Sequence, residues 1–194
     1  MKRCLACGHI FDHQSWTCPE CGRAPEVRDG FLSFAPELAG TEDMFQHSDF
    51  AALAQIEAGS FWFRSRNQLI LWALRTYFPD AIRFLEVGCG TGFVLASIIK
   101  TMPAIASAGS EIYFQGLKIA QQRAPEATLL QMDARNMPFW SEFDVIGAFD
   151  VLEHVADDRA VLRQVFQAVK PGGGVILTVP QHPFLWSNVD EYSC

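Results

Sequence analysis

The sequence predicts an α/β protein, with a doubly wound and mostly parallel sheet preceded by a small cysteine-bound module at the N-terminus. Three observations lead to this fold class. Strand-like and helix-like runs alternate from residue 83 onwards, a loop with three glycines follows the first of these strands, and two Cys-x-x-Cys pairs lie near the start of the chain. Repeated strand–helix–strand units form parallel sheets with helices on both faces.

The composition predicts one main folded domain. The chain has 194 residues, of which 49% are hydrophobic and 19% charged, unlike the polar composition of disordered proteins. A formal net charge of -7 gives the whole chain no electrostatic attraction to nucleic acid or to an anionic membrane surface. Because no apolar signal-peptide core follows Met1 and no run reaches the length of a membrane span, we expect a cytoplasmic protein.

The cysteine pairs predict a structural zinc site in a zinc-ribbon-like module, residues 1–30. Both pairs have the spacing of tetrahedral thiolate sites, and a glycine follows each of them. A redox-active pair is disfavoured, because the two pairs lie close together in a polar segment without a strand–helix context. Since the segment has almost no apolar core, the metal would supply its folding free energy. The predicted ligands are Cys4, Cys7, Cys18 and Cys21.

The role of this module is open from the sequence. A ribbon of this kind can bind nucleic acid, bind a partner or brace the next domain. Its four basic residues are balanced by four acidic residues, whereas a nucleic-acid reader would be more basic.

The predicted elements follow the module in order. Residues 31–60 are predicted as a linker and a lead helix, whose N-cap would be Ser48 or Asp49. Residues 61–194 form the predicted main domain, which opens with a helix capped by Ser60. Strands are predicted at 83–87, 105–110, 127–132, 143–149 and 174–179, and helices at 92–101, 113–123 and 157–169. The last helix has an apolar face of Val161, Leu162, Val165, Phe166 and Val169.

The glycine loop, residues 88–92, directly follows the first predicted strand of this domain. In a doubly wound sheet, the turn after the first strand meets the ligand with its backbone. The spacing here is G-x-G-x-G, and Phe93 and Leu95 stand where a dinucleotide fingerprint would require its third glycine. The loop therefore disfavours a pyrophosphate cradle.

The segment FLEVGCGTGFV resembles the first motif of class I S-adenosylmethionine-dependent methyltransferases. Two later runs, MDARNMPFWSEFDVIGAFDVLEHV and LRQVFQAVKPGGGVILTVP, are similar to the third to fifth strands of the methyltransferases that act mostly on small molecules and on glycan- or lipid-linked substrates. The resemblance covers roughly residues 45–190. It implies a Rossmann-like methyltransferase fold, S-adenosylmethionine as cofactor and an acceptor of that class.

The resemblance also implies roles for acidic residues at strand ends. Glu111, which lies nineteen residues after Gly92, can accept hydrogen bonds from both ribose hydroxyls, and the alternative is a solvated acid. Asp133 would face the adenine amino group, with the backbone of Ala134 near the ring edge. Asp150 would close the pocket from the fourth strand, and the alternative of a residue that caps the next turn is equally open.

The glycine loop would hold the methionine part of the cofactor. Its backbone would approach that part directly, while Glu86 would shape the turn or reach the amino group through water. Cys89 is interpreted as a small filler rather than a nucleophile. The complete predicted cofactor-binding set is Glu86, Gly88, Cys89, Gly90, Gly92, Glu111, Ile112, Asp133, Ala134 and Asp150.

Two histidines are candidates for catalysis. Methyl transfer is an in-line displacement, so alignment of the reactants is the main task of the enzyme. If the acceptor is a hydroxyl, a base is useful, and histidine suits that role. His154 follows the fourth predicted strand and His182 follows the fifth. For His154, the favoured alternative is a structural residue that hydrogen-bonds the local loop.

The end of the sequence predicts an incomplete sheet. The family fold has seven strands, but only fourteen residues follow Pro180. We therefore expect a five-stranded partial sheet that lacks the last two strands. Its fifth strand would be an exposed edge, which favours a homodimer through that edge.

Two other functions stay open at this stage. A ribosomal RNA base methyltransferase with a zinc module is one, although the acidic balance and the neutral module weigh against nucleic acid. A non-catalytic zinc-binding interaction module is the other. Failure to bind the cofactor would favour it.

Overall fold

The computed structural model describes residues 1–39 and 47–180, with side chains from residue 50 onwards after the gap. These ranges contain a two-stranded sheet, a seven-stranded sheet, five α-helices and one short 3₁₀ helix. No helix within them combines the length and the apolarity needed to cross a lipid bilayer.

The N-terminal segment, residues 1–39, forms four short strands. Strands β1 (Lys2–Arg3) and β2 (Ile10–Phe11) pair antiparallel next to the cysteines. Strands β3 (Glu26–Arg28) and β4 (Phe31–Ser33) form a hairpin. Its two-residue turn, Asp29–Gly30, has φ values of 53° and 88°, which is the left-handed backbone that a type I′ turn requires.

The rest of the chain alternates strands and helices as the sequence predicts. Helix α5 is capped by Asp157, whose carboxylate accepts a hydrogen bond of 2.9 Å from the amide of Ala160. The elements in order are α1 (His47–Ile56), α2 (Phe61–Tyr77), β5 (Arg83–Val87), α3 (Phe93–Thr101), β6 (Ala106–Glu111), α4 (Phe114–Arg123), β7 (Thr128–Gln131), β8 (Phe143–Phe149), the 3₁₀ helix (Leu152–His154), α5 (Asp158–Ala168) and β9 (Val169–Thr178).

The large sheet has the strand order β3-β4-β7-β6-β5-β8-β9, in which every neighbouring pair except β3 and β4 is parallel. All five strands predicted for the main domain are present. The prediction of a five-stranded sheet is nevertheless wrong, because the N-terminal hairpin adds two strands at the β7 edge. One of these two strands, β4, lies within residues 31–60, the segment that was predicted to be a linker and a lead helix.

Hydrophobic clusters cover both faces of the sheet. Successive residues of a strand point to opposite faces, so Phe84 packs with the cluster of α2 and α3, while Leu85 packs with the cluster of α5. The prediction of an apolar face on α5 is correct for only some of its residues. Val161 and Val165 are buried, but Leu162 and Phe166 are 41% and 81% exposed.

Candidate functional site

The glycine loop turns at the carboxyl end of β5 with a left-handed backbone. The φ values of Gly88 and Gly92 are 67° and 75°. A Cβ atom at Gly88 would lie 2.5 Å from Cγ2 of Val151, and one at Gly92 would lie 2.9 Å from the backbone of Ala120. Only glycine fits these two positions. The loop leads into the N-terminus of α3, where amide groups favour a polar or anionic ligand.

Glu111 joins the glycine loop to the end of β6. Its buried carboxylate accepts hydrogen bonds from the amides of Gly90 (3.0 Å), Ile112 (2.8 Å) and Tyr113 (3.3 Å). Burial raises the pKa of Glu111, and the three amides act in the opposite direction. The structure thus brings together three residues of the predicted cofactor set. The ribose contact itself stays a prediction.

Glu86 is a buried acid directly before the loop. It is 3% exposed, and its Oε2 atom has no hydrogen-bond partner among the residues that the structure describes. Burial raises the pKa of this carboxyl to about 8, although the nearby guanidinium of Arg66 favours the ionised form. Buried polar atoms are nearly always paired, so this oxygen fits a cation or hydrogen-bond donor supplied by a ligand.

Asp150 closes the same end of the sheet from β8. Its φ of 56° is left-handed, which aspartate tolerates better than most side chains. Oδ1 accepts a hydrogen bond of 2.8 Å from the hydroxyl of Thr178, and Oδ2 forms an ion pair with Arg66. Asp150 therefore anchors α2 and β9 at this edge, which goes beyond the two roles considered from the sequence.

Arg66 is a site residue that the sequence reasoning missed. It lies on α2, and its guanidinium is 5.2 Å from the ring centroid of Phe63. Within the described ranges its buried Nε has no hydrogen-bond partner. A signal existed, since an arginine in a helix that packs on the core requires an acid or a ligand. The sequence could not show which acid, because Asp150 is 84 residues away.

His154 lies in the 3₁₀ helix that follows Asp150. Its Nδ1 and the Oε2 of Glu153 are both buried and have no partner in the described part of the chain. Burial also raises the pKa of Glu153. The catalytic role of His154 stays a prediction, and within the described residues Nδ1 makes no hydrogen bond of the kind that the structural alternative invoked. His182 lies outside the described residues.

The predicted adenine site carries an internal ion pair. The carboxylate of Asp133 accepts two hydrogen bonds of 3.0 Å from Nε of Arg135, and its Oδ1 accepts one of 2.8 Å from the Arg135 amide. Ala134 is partly buried against the core. An adenine amino group would therefore share this carboxylate with Arg135.

A buried network ties the end of α1 to the glycine loop, and no sequence pattern indicated it. Glu57 is 4% exposed and accepts hydrogen bonds of 2.7 and 2.8 Å from the hydroxyl of Thr91. It also forms an ion pair with Arg123, which donates to the carbonyl of Ala54 at 2.6 Å. These contacts hold the loop at Thr91, next to Gly90, whose amide donates to Glu111.

The four N-terminal cysteines converge as predicted. The sulfur atoms of Cys4 and Cys21 are 3.6 Å apart, those of Cys7 and Cys18 are 3.7 Å apart, and all four lie within 4.8 Å of one another. A tetrahedral zinc–thiolate site has sulfur–sulfur distances of about 3.8 Å. Burial opposes ionisation of Cys4, but backbone amides lower the pKa of its thiol; at Cys7 a backbone hydrogen bond from His9 favours the thiolate, but burial and the neighbouring sulfur atoms raise the pKa overall. The donor set therefore fits zinc.

Comparison with known proteins identifies what the main domain is similar to. A family model described as "Methyltransferase domain" matches residues 57–191, which is more than half of the chain. A ubiquinone biosynthesis O-methyltransferase from Escherichia coli O127:H6 is 28% identical over 102 residues, which cover 50% of this chain and 42% of that protein. The chain thus spans less than half the length of this curated relative.

Two solved structures share the fold. One is CalS10, an amino pentose methyltransferase from Micromonospora echinaspora, with 27% identity and a TM-score of 0.60 over 72% of this chain and 58% of that one. The other is DesVI from Streptomyces venezuelae, with 25% identity and a TM-score of 0.58 over 74% and 61% of the two chains. The first of these structures contains bound S-adenosylmethionine.

Proposed function

The chain belongs to the methyltransferase domain family, and on this premise we propose that it binds S-adenosylmethionine at the carboxyl edge of the sheet and transfers the methyl group to a small-molecule acceptor. One observation carries the proposal. Two buried carboxylates, Glu86 and Glu111, flank a glycine loop that only glycine can form, and Glu86 keeps an oxygen without a partner among the described residues. This arrangement suits a ligand that carries both an amino group and ribose hydroxyls.

Charge complementarity assigns the parts of the cofactor to residues of this chain. The ammonium group would pair with Glu86, and the carboxylate would lie near Arg66, which supplies a cation beside Asp150. Glu111 would accept the ribose hydroxyls, with its amide hydrogen bonds holding the carboxylate in place. Asp133 and the backbone of Ala134 would contact the adenine.

The proposed reaction needs alignment more than acid–base chemistry. S-adenosylmethionine supplies, when bound, an electrophilic methyl carbon on a positively charged sulfur. The residues of the site would hold the acceptor atom in line with this carbon and away from water, so that the methyl group could pass to the acceptor while the electron pair of its bond to sulfur stayed on sulfur. For a hydroxyl acceptor, Nδ1 of His154, which has no hydrogen-bond partner among the described residues, would take the proton.

The contacts of the N-terminal segment support a small-molecule acceptor over RNA. The amine of Lys2 donates to the carbonyls of Gln14 and Ser15, at 2.8 and 3.1 Å. Arg3 donates to protein groups of the main domain, and Arg28 lies 5.8 Å from the ring centroid of Phe114. Three of the four basic residues of the module are thus engaged within the protein, which leaves little cationic surface for phosphates.

We also propose that the cysteine cluster holds a structural zinc ion. The support is the convergence of four sulfur atoms, all within 4.8 Å of one another, in a segment with a very small apolar cluster of its own, formed by Cys4, Phe11 and Cys18. Elemental analysis should give one zinc per chain. A metal-free protein with four reactive thiols and an intact module would contradict the proposal.

Calorimetric titration with S-adenosylhomocysteine tests the cofactor proposal. We expect micromolar binding, and we expect Glu111→Ala to weaken it by about 100-fold, or about 2.7 kcal/mol, which is the contribution of one to two hydrogen bonds to a charged group. The matched control is Glu126→Ala, which removes an exposed acid after α4 and should bind like the wild type. Binding of NAD instead, or no binding by a folded protein, would contradict the proposal.

Transfer of a labelled methyl group to a panel of small hydroxyl and amine compounds tests the acceptor class. Labelling of RNA fragments but of no small molecule would favour the ribosomal RNA alternative. His154→Gln should slow transfer to hydroxyls more than transfer to amines, because a neutral amine attacks without prior loss of a proton.

A further inference from the structure

Two sets of contacts join the N-terminal segment to the strands that carry the cofactor residues. One passes through Gln131, the last residue of β7. The other passes through Arg3, which directly precedes the first cysteine ligand. Both end at positions that the proposed function assigns to the adenosine part of the cofactor.

Both the oxygen and the nitrogen of the Gln131 side-chain amide form hydrogen bonds in this connection. The side chain is fully buried, and Oε1 accepts hydrogen bonds from the hydroxyl of Ser33 (2.7 Å) and the amide of Ala35 (3.1 Å). Nε2 donates to the carbonyls of Ala35 (2.8 Å) and Ile112 (3.0 Å). Since the amide of Ile112 in turn donates to Glu111, one side chain joins the N-terminal segment to the proposed ribose site.

Arg3 holds the loop between β7 and β8. Its Nη2 donates to the carbonyl of Met137 (2.8 Å) and to the side chains of Gln164 (2.6 Å) and Asn136 (3.1 Å). Its backbone amide donates to the carbonyl of Pro138 at 2.9 Å. The same loop contains Asp133 and Ala134, so Arg3 positions the segment that would contact the adenine.

An aromatic contact strengthens the same junction. Trp16 lies two residues before Cys18, and its ring packs edge-on against Phe34 (4.8 Å between centroids) and Phe139 (5.8 Å). Phe34 follows β4, and Phe139 belongs to the β7–β8 loop. Arg3 adjoins Cys4, and Trp16 lies between Cys7 and Cys18, so loss of the metal would release both docking residues together.

We propose that metal binding at the four cysteines and cofactor binding at the sheet edge are coupled, with Arg3 and Gln131 as the positioning residues that carry the coupling. This inference rests on the proposed binding of S-adenosylmethionine. Coupling is reciprocal, so the metal and the cofactor must each tighten the binding of the other by the same factor. We expect a factor of about ten, within the usual range for coupled sites.

The test measures both directions of this coupling. Calorimetry compares the affinity of S-adenosylhomocysteine for zinc-loaded and chelator-treated protein, and a colorimetric chelator measures zinc affinity with and without S-adenosylhomocysteine. We expect about tenfold tighter binding in both experiments when the other ligand is present. Equal affinities would overturn the coupling alone. No binding by the zinc-loaded protein would overturn the proposed function, and the coupling with it.

If the chelated protein unfolds, variants that keep zinc bound provide the test instead. Arg3→Ala retains all four cysteines, and with zinc bound it should bind S-adenosylhomocysteine about tenfold more weakly than the wild type. Arg163→Ala is the matched control, since this arginine is exposed on α5 one residue before Gln164. Equal binding by the two zinc-loaded variants would overturn the role of Arg3.

Gln131→Met tests the second connection, because it keeps the length of the side chain and removes its four hydrogen bonds. Ser107→Ala is its control, because this buried residue of β6 donates its hydroxyl hydrogen bond to the nearby carbonyl of Ile105. A purely structural role would lower the unfolding temperature but leave the ratio between zinc-loaded and zinc-free affinities unchanged. We expect that ratio to fall towards one in Gln131→Met and to stay as in the wild type in Ser107→Ala.

Discussion

The two edges of the seven-stranded sheet differ in how far their outer strands are paired and covered. At one edge, β4 pairs with β7, β3 covers β4, and Phe31 is buried against α4. At the other edge, β9 pairs only with β8 in the described part of the chain, and Val175 and Leu177 are 38% and 39% exposed. Parallel strands are normally covered on both faces, so the second edge is the unusual one.

This difference indicates which side of the sheet is held by more contacts. The covered edge adjoins Glu111 and Asp133, the residues proposed for the adenosine part of the cofactor. The open edge is formed by β9, which ends at Thr178 beside Asp150, and Phe166 of the preceding helix α5 is exposed. We therefore expect perturbations of equal chemical size to have large effects at the first edge and small effects at the second.

Removal of a metal ligand should have the largest effect. Cys18→Ser should abolish zinc binding and unfold residues 1–25, because the metal contributes on the order of 10 kcal/mol to folding in such modules. Hydrogen exchange should then show lost protection in β1 and β2 and unchanged protection in β9. Cys89→Ser is the control, since this buried cysteine lies outside the cluster. Retention of one zinc by Cys18→Ser would refute the site.

A matched pair of phenylalanines compares the edges directly. Phe31→Ala removes a side chain that is 3% exposed and should lower the free energy of unfolding by about 3–5 kcal/mol. Phe166→Ala removes one that is 81% exposed and should change it by less than about 0.5 kcal/mol. Urea denaturation measures both values. Similar losses would mean that the edge at β9 is covered in solution.

The pH dependence of the free energy of unfolding tests the protonation of Glu86, which lies on β5 between the two edges. Its pKa of about 8 lies above the ordinary value of 4.5, so between these two pH values the carboxyl of the cofactor-free folded protein is protonated while that of the unfolded chain is ionised. The resulting stability is fully present below about pH 4.5 and is lost as the pH rises through about 8. Urea midpoints between pH 5 and 8 should fall more steeply for the wild type than for Glu86→Gln. Parallel curves would exclude a buried, protonated Glu86.

The smallest change expected concerns the open edge. An exposed strand edge can pair with another chain, and we predict a weak homodimer through β9 that sedimentation detects at high protein concentration. Leu177→Lys should prevent this association while changing the folding free energy by less than about 0.5 kcal/mol. Ile56→Lys, which alters an exposed apolar residue of α1, should associate like the wild type. A concentration-independent monomer mass for the wild type would contradict the prediction.

Most of the main domain could be predicted from the sequence. The bounds of β5 and β8 are those that the apolar runs predicted, and the family and fold class are confirmed. The hairpin at 26–33 was missed because strands of three residues have no readable periodicity. Its Asp29–Gly30 turn was the available signal. Its parallel pairing with β7 joins residues about a hundred positions apart, such as Ser33 and Gln131.

The candidate site divides in the same way. The glycine loop and the acids at strand ends were recognisable because each depends on a local motif at a strand end, and the structure brings Gly90 to within hydrogen-bond distance of Glu111. Arg66 and Glu57 were missed because their partners lie on other elements, 84 and 66 residues away. No local pattern encodes such a pair.

The sequence by itself therefore determined the alternation of strands and helices, the glycine loop and the cysteine pairs, because each follows from local conformational preference and short-range spacing. The tertiary structure decided which edge of the sheet is covered and how the N-terminal segment meets the cofactor residues. The physical reason is that contacts such as those of Gln131 and Arg3 satisfy buried polar groups between distant segments. Their partners exist only once the chain has folded.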